Sequence, residues 1–508
     1  MEDIRKFLDK YKVKITVLGL VILGFIFRIN GIWLNYSFWT DEASTARFAR
    51  GVLEIGLPKI ATTGYMENSY FITHYLTALS FKIFGINEFS ARLPEVIFGT
   101  FLILVIYLVG EKIFGKEVGL GAAFLMAFSY IEIAWSRQAR GYVILEFFYL
   151  LSILFVYLFF SREKLRYFFY FLLSSLIGVW THTLGLIIYP VFMVYAPFHK
   201  NFVRKMFSGK FFIFGVIILV FILLLLTNLY PTLKIIWRDK ISNFKLTMGF
   251  IPYYHSLFWR QYTLITFLGV LGLIVLFLQK KREIALLFLA FLITYLFCVS
   301  FLVGVPFEKY ALPVFPILFL LTSYSLYLIS QKFIGRREKS FWFFLFLILF
   351  IVGNGNKFSL KPKNFYTLNF DMREIPEIDY KGIYESIKKI AGEQIDSVAI
   401  VDISHDMPAW YLGEGKKLFI PRKDVSSEKR VNINSGAVFI HDLEEFKEVT
   451  KIYPQGFVVL IEHNFRFYPD GFVEYVRKNL RFEEKEEAAW FSPDWNKWPA
   501  EVYSWGFE

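Results

Sequence analysis

Up to about residue 355 the chain is a succession of long apolar runs separated by short polar turns. The runs fall at roughly 15–34, 94–110, 118–135, 142–161, 166–181, 184–198, 211–230, 262–278, 284–303, 309–329 and 341–355, near the length of about 17–25 residues that a helix needs to cross a bilayer. They predict about eleven membrane-spanning helices. One further apolar stretch, YFITHYLTALSFKIFGI at 70–86, contains His74 and Lys82 and has a mixed face; it reads as an amphipathic helix lying on the membrane surface. Beyond residue 360 the pattern changes. DSVAIVDI, GAVFIHDL and GFVVLIE are short apolar runs ending in polar clusters, as buried strands do, while IYESIKKIAG and DGFVEYVRKNL carry helical periodicity. The fold class expected is mainly α: a polytopic membrane helix bundle over 1–355, followed by a small α/β domain over 360–508. The end of the chain is rich in tryptophan (Trp490, Trp495, Trp498, Trp505), which suits either a membrane-interface seat or a core. No internal repeat or low-complexity linker is visible.

Composition agrees with a membrane protein. Of 508 residues, 56% are hydrophobic and 20% aromatic, above the 45–50% apolar content of ordinary soluble chains. The net charge of +12 would raise the question of nucleic acid in a soluble protein, but here the basic residues gather in alternate turns between spans. Arg5, Lys6, Lys10, Lys12 and Lys14 precede the first span; Lys112 and Lys116, Arg162 to Arg166, Lys200 to Lys210, Lys280 to Arg282, and Lys332 to Lys339 occupy the alternate turns that follow. The positive-inside bias then puts the N-terminus in the cytoplasm, and a first loop of about 35–93 and the C-terminal domain outside. That alternation requires 70–86 not to cross. The N-terminal run shows no small-residue cleavage site and reads as an uncleaved helix. The single cysteine, Cys298, excludes an intrachain disulfide framework.

Five external features carry candidate chemistry. Asp41 and Glu42 open an amphipathic run just after the first span; they are either helix-capping carboxylates or part of a site. Arg137 and Arg140 in WSRQARGY run against the charge bias, and an i, i+3 pair on one helical face could fork onto a phosphate or snorkel to lipid headgroups. His182 in WTHTLG stands at an outer helix end, where a lone histidine is more often structural. Lys309, beside Glu308 in PFEKYALPVFP, could bind phosphate or pair with its neighbour. Arg92 lies in EFSARLPE at the outer edge of the second span. Ionisable groups at a membrane edge are costly, which favours a functional reading of the set.

WTDEA after the first helix, FGINEFSARLP before the second, SRQARGY, THTLGL and KYALPVFPIL occur in the order found in a known family. Over about residues 1–330 the chain resembles the membrane glycosyltransferases of the C-type fold, in the branch of protein O-mannosyltransferases and aminoarabinose lipid A transferases. It departs from them in the first loop, where YMENSYFITHYL, with Glu67 and Asn68, lacks a Pro-Pro element; in Lys309-Tyr310 where several relatives have Arg-Tyr; and in lacking an aspartate in SRQARGY. The resemblance implies inverting transfer of a monosaccharide from a polyprenyl phosphate (dolichyl or undecaprenyl) to an external hydroxyl of a protein, lipid or glycan. It implies Asp41 as general base, with Glu42 orienting the acceptor or holding Asp41. Arg137, Arg140 and Lys309 would clamp the phosphate, with Arg92 and His182 either joining them or bracing the first loop. Glu67, Asn68, Tyr142 and Tyr310 would line the substrate site, and the external segment 231–261, with Tyr253, Tyr254 and Trp259, would close over the sugar. The carboxylates could also hold a divalent cation, though no metal-ligand spacing is strong. The alternative class is a transporter or flippase of a lipid-linked or anionic solute, for which charges near the bilayer midplane and inverted repeats would be expected.

Overall fold

A computed structural model describes residues 2–67, 70–199, 249–335, 337–355, 357–363, 378–486 and 499–507. The expected span at 211–230, the loop portion 231–248, Asn68 and three of the terminal tryptophans lie outside the described residues. Helices α1 (Glu2–Ile29), α2 (Thr40–Ile55), α3 (Phe71–Phe84), α4 (Glu88–Ile113), α5 (Lys116–Phe128), α6 (Tyr130–Trp135), α7 (Tyr142–Arg162), α8 (Leu165–Thr181) and α9 (Ile188–Tyr195) form the first half. Helices α10 (Ile251–Ser256), α11 (Thr263–Leu278), α12 (Arg282–Phe301), α13 (Phe315–Ile334) and α14 (Arg337–Asn354) complete the bundle. Among the described residues five segments are long and apolar enough to cross a membrane: Val13–Leu34, Glu88–Ile113, Tyr142–Arg162, Arg282–Phe301 and Glu308–Ile334. The expected spans at 166–181, 184–198 and 341–355 are shorter apolar helices, and 262–278 follows a segment bent against it by 99°.

Two departures from the expected spans have local causes. The run 118–135 is not one helix. It breaks at Ser129, whose backbone is extended and forms a bridge to Phe358, while Tyr130 N–H donates to the Lys357 carbonyl at 2.9 Å and Ser359 N–H to the Phe128 carbonyl at 3.0 Å. A strand-like pairing inserted between α5 and α6 is not visible in hydrophobic periodicity. The stretch 70–86 forms α3, only 14 residues long, burying Thr73, His74, Thr77, Ala78 and Phe81 and exposing Leu79, Ile83 and Phe84. That two-faced pattern suits a helix at an apolar boundary.

Close helix contact depends on glycine. A Cβ on Gly110 of α4 would lie 2.5 Å from the Cα of Gly119 of α5, and one on Gly119 would meet the Tyr107 carbonyl oxygen at 2.5 Å. Small residues at such crossings let backbones approach where apolar association in lipid gives little driving force.

The tail folds as a six-stranded sheet in the order β3-β2-β1-β4-β6-β5, from strands β1 (Ala399–Asp402), β2 (Lys417–Pro421), β3 (Val438–Ile440), β4 (Gly456–Ile461), β5 (Arg481–Glu486) and β6 (Ala500–Trp505). The first four are parallel, in register Ile400 to Leu418 and Ile400 to Phe457, whereas β6 runs antiparallel to both β4 and β5. Helix α15 (Tyr380–Ala391) leads into β1, and helices α16 (Asp406–Tyr411), α17 (Leu443–Ile452) and α18 (Phe472–Asn479) lie between later strands. The core of this sheet continues into the first loop. Trp410 packs on Phe38 and Phe81 with ring centroids 5.3 and 6.1 Å apart, and Ala43, Ala46 and Ala49 of α2 join the same apolar cluster.

Gly119→Leu should lower the thermal midpoint of the purified protein, since overpacking a close contact costs about 1–3 kcal/mol. An unchanged midpoint in a detergent melting assay would show that α4 and α5 tolerate a wider separation.

Candidate active site

Helix α2 begins at Thr40, and the residue capping it, Trp39, makes no side-chain capping bond. Neither Thr40 nor Asp41 is therefore the cap; Asp41 and Glu42 sit in the first turn, where the positive end of the helix dipole favours carboxylates. Consecutive helical residues point about 100° apart, so the two acids face different partners.

Glu42 turns inward and is buried. Its oxygens accept from Arg92 Nε at 2.8 Å and Nη2 at 2.7 Å, and Oε1 also accepts from Ala139 N–H at 2.9 Å. Arg92, equally buried, uses its remaining donors on the carbonyls of Tyr36 at 3.0 Å and Ser37 at 3.2 Å and lies 3.8 Å over the Tyr36 ring. This pair is a brace of the first loop; of the two roles expected for Arg92, bracing is the one its contacts serve, and Glu42 holds the helix that carries Asp41.

Asp41 faces the other way, with its side chain 38% exposed. Its carboxylate lies 3.4 Å from Lys309 Nζ and 3.5 Å from Arg140 Nη2, and its backbone carbonyl accepts from Arg140 Nη1 at 3.0 Å. Burial opposes the charge on Arg140, but Asp41, Tyr142 and Tyr70 outweigh it and hold the guanidinium pKa above its ordinary value. The buried Nε of Arg140 has no hydrogen-bond partner among the described residues. Lys309 is enclosed by rings, its Nζ lying 5.2 Å from Trp39, 5.9 Å from Trp135, 5.5 Å from Tyr142, 4.7 Å from Phe307 and 5.6 Å from Tyr310.

The turn that presents Arg140 is built by carboxylates. Residues 136–141 are not helical, so Arg137 and Arg140 do not share a helical face as an i, i+3 pair. Ala139 N–H is held by Glu42, and Gly141 N–H donates to Glu95 at 2.7 Å. Gly141 has φ 69°, and a Cβ there would strike the Thr73 hydroxyl, so both conformation and space call for glycine. Arg137 goes elsewhere: its Nη1 donates to the Phe27 and Asn30 carbonyls at the end of α1 and to the Lys363 carbonyl.

His182 borders the site without being a cation. Burial, then the charges of Arg140 and Lys309, hold its pKa well below the usual histidine range. Its Nδ1 accepts from Leu184 N–H at 3.0 Å, which leaves the proton on Nε2, 3.2 Å from the Tyr70 hydroxyl. Tyr142 packs on His182 and Tyr310 with centroids 4.8 and 6.0 Å away. Glu67 is tied through its backbone N–H to the Pro58 carbonyl at 3.0 Å. Of the segment expected to close over the sugar, Tyr254 is buried in the bundle core and Trp259 is 41% exposed. Among the described residues no three His, Cys, Asp or Glu side chains converge as a metal-ligand set. Asp41 and Glu42 both face cations, so this donor set does not fit a divalent ion.

Sequence reasoning passed over Glu95, Tyr70 and the ring walls Trp39, Trp135 and Phe307. Glu95 had a signal, a carboxylate in the outer end of an apolar span; the rings had none among so many aromatics.

The fold these features occupy is that of the C-type membrane glycosyltransferases, in a multi-pass membrane protein. ArnT from Cupriavidus metallidurans superposes on this chain with a TM-score of 0.62 over 98% of each chain, at 13% identity, and has also been solved bound to undecaprenyl phosphate. The oligosaccharyltransferase AglB from Archaeoglobus fulgidus, solved with an inhibitory peptide and a dolichol-phosphate, matches with a TM-score of 0.56 over 96% of this chain and 75% of its own, at 11% identity. Residues 71–230 match the family described as dolichyl-phosphate-mannose-protein mannosyltransferase. An uncharacterised protein of Aquifex aeolicus is 24% identical over 339 residues, a match that spans 61% of this chain and 62% of that relative's length.

Arg92→Met should destabilise the protein by about 3–5 kcal/mol, because it leaves Glu42 buried without its partner. Denaturant or thermal unfolding checks this, and the double variant Glu42→Gln/Arg92→Met should recover part of the loss.

Proposed function

We propose that the chain is an inverting glycosyltransferase that moves a monosaccharide from a polyprenyl phosphate to a hydroxyl acceptor at the outer face of the membrane. The observation that carries this reading is the half-buried Asp41 carboxylate set between two cations, the buried Lys309 at 3.4 Å and the largely enclosed Arg140 at 3.5 Å, inside a ring of aromatic side chains. Such a constellation offers one base and two anion partners at one point. The similarity to ArnT, solved with undecaprenyl phosphate, and to AglB, solved with a dolichol-phosphate, supports a lipid phosphate as the anion.

In the reaction so proposed, the acceptor oxygen attacks the anomeric carbon as its proton passes to Asp41. The bond from that carbon to the phosphate oxygen breaks, and the electron pair leaves with the phosphate. A phosphodiester thereby becomes a monoester and gains negative charge. Lys309 and Arg140 are placed to receive it, and the orphaned Nε of Arg140 is a donor still to be satisfied. Charges held ready for a developing anion act most strongly where water is excluded. The aromatic walls exclude it around Lys309 and offer flat faces to a sugar.

The orientation follows from the turns. Helices α4, α7 and α13 carry Arg92, Tyr142 and Lys309 at or just before their site ends, and Lys112, Arg162 and Lys332 near their opposite ends. The positive-inside bias puts those opposite ends in the cytoplasm, hence the site and the α/β tail outside.

Asp41→Asn should lower the transfer rate by about 10²–10⁴-fold, the usual worth of a positioned base, with undecaprenyl phosphate retained on the purified protein at least as well, since the carboxylate no longer competes with it for Lys309 and Arg140. Transfer of labelled sugar from a panel of polyprenyl-phosphate sugars is the assay, and normal turnover in the variant would remove Asp41 from the mechanism. Lys309→Met should weaken the apparent affinity for lipid phosphate by about 10- to 100-fold, since a hydrogen bond to a charged group is worth about 1.5–3 kcal/mol. If the wild-type protein moves a lipid-linked sugar across vesicles but transfers none, the transporter reading replaces this one.

A further inference from the structure

Helix α2 makes three different attachments around its circumference. At about 100° per residue, Glu42 lies about 100° and Arg47 about 240° round the axis from Asp41. Asp41 faces Lys309 and Arg140, Glu42 faces Arg92, and Arg47 faces the tail. The Arg47 side chain is fully out of water. Its Nε and Nη2 donate to Glu414 at 2.7 and 2.9 Å, its Nη1 donates to Asp406, and Nη2 also reaches the Asn434 carbonyl at 3.2 Å.

The tail builds this grip at the carboxyl end of its sheet. Asp402, the last residue of β1, accepts from Ser404 N–H at 2.7 Å and from the Tyr384 hydroxyl. The tight turn so formed brings the Ser404 hydroxyl to 3.4 Å from that of Thr40, the residue before Asp41, and starts α16 at Asp406. Tyr411 at the end of α16 accepts the Phe38 N–H at 2.9 Å. In open α/β sheets this end, where β1 has neighbours leading off in both directions, is where ligands bind. Here the start of α2 docks beside it.

We infer that Arg47, gripped by Asp406 and Glu414, is a positioning residue that sets the rotation of α2 and so the reach of Asp41 to its two cations, making the tail part of the catalytic assembly. The inference rests on Asp41 acting as proposed above. A helix is about 5–6 Å in radius with its side chains, so a turn of about 20° would carry the Asp41 carboxylate about 2 Å. A misplacement of about 1 Å can cost about 100-fold in rate. Glu42 and Arg92 hold one side of α2; the opposite side is held by Arg47.

The test uses the full chain, purified in lipid nanodiscs, with Arg47→Met and Arg47→Lys. Arg47→Met should lower kcat for sugar transfer by about 100-fold while the donor KM stays within about threefold, the pattern of a group that acts only at the chemical step. Arg47→Lys, which keeps the charge but loses the fork, should restore part of kcat. A second measurement needs no sugar. In a Cys298→Ser background, Thr40→Cys with Ser404→Cys should oxidise to a disulfide readily when residue 47 is Arg and slowly when it is Met. An unchanged kcat, or a crosslink that forms equally well without Arg47, overturns the inference. A crosslink that depends on Arg47 in a chain that transfers no sugar leaves the clamp standing and sinks the transferase reading instead.

Discussion

Taking a carboxylate and a guanidinium out of water costs several kcal/mol for each ion, and mutual attraction repays this only when the remaining donors and acceptors are also satisfied. Glu42 and Arg92 meet that condition by drawing on four separate segments. The pair is bidentate, the Tyr36 and Ser37 carbonyls take two more donors of Arg92, and Ala139 N–H satisfies Glu42. The extended chain after α1, the start of α2, the outer end of α4 and the turn after α6 therefore cannot shift independently. That turn also carries Arg140, so the residue that reaches Asp41 is fixed by the same clasp that fixes the helix bearing Asp41.

Much of this architecture is legible in the sequence because it rests on hydrophobic run length and turn charge. The long spans, helix α3 and the strands of DSVAIVDI, GAVFIHDL and GFVVLIE are where the pattern puts them. Strand β2 escapes, because KLFIP has only three apolar residues between its charged start and its proline, and β5 escapes because RFEEKE is charged at an antiparallel margin. The break at Ser129 is hidden for another reason: it is made by pairing with residues more than two hundred positions away.

The site was legible as a set of residue types and not as an arrangement. Asp41, Arg140 and Lys309 converge, but Arg137, three residues from Arg140, caps the end of α1 instead. An i, i+3 pair shares a face only on a helix, and this segment is a turn held by Glu42 and Glu95. Nor could the sequence tell that Glu42 and Asp41, neighbours and both acidic, have opposite fates, one sealed against arginine and one left open. Arg47 belongs to the same lesson. TARFARG holds two arginines, Arg47 and Arg50, and only the tail's Asp406 and Glu414 show what Arg47 is for.

The half-open Asp41 carboxylate also ties the parts of the proposed reaction together. Lys309 is enclosed by aromatic rings that give it no counter-charge, and the Asp41 carboxylate 3.4 Å from its Nζ supplies one. Arg140, 3.5 Å from the same carboxylate, is the second cation of the triad. A lipid phosphate entering the site competes for the same two cations. On the proposed reading the base and the donor phosphate thus share one pair of cations, so Lys309 and Arg140 would serve both the proton transfer and the departing phosphate, and a substitution at either would be felt in both.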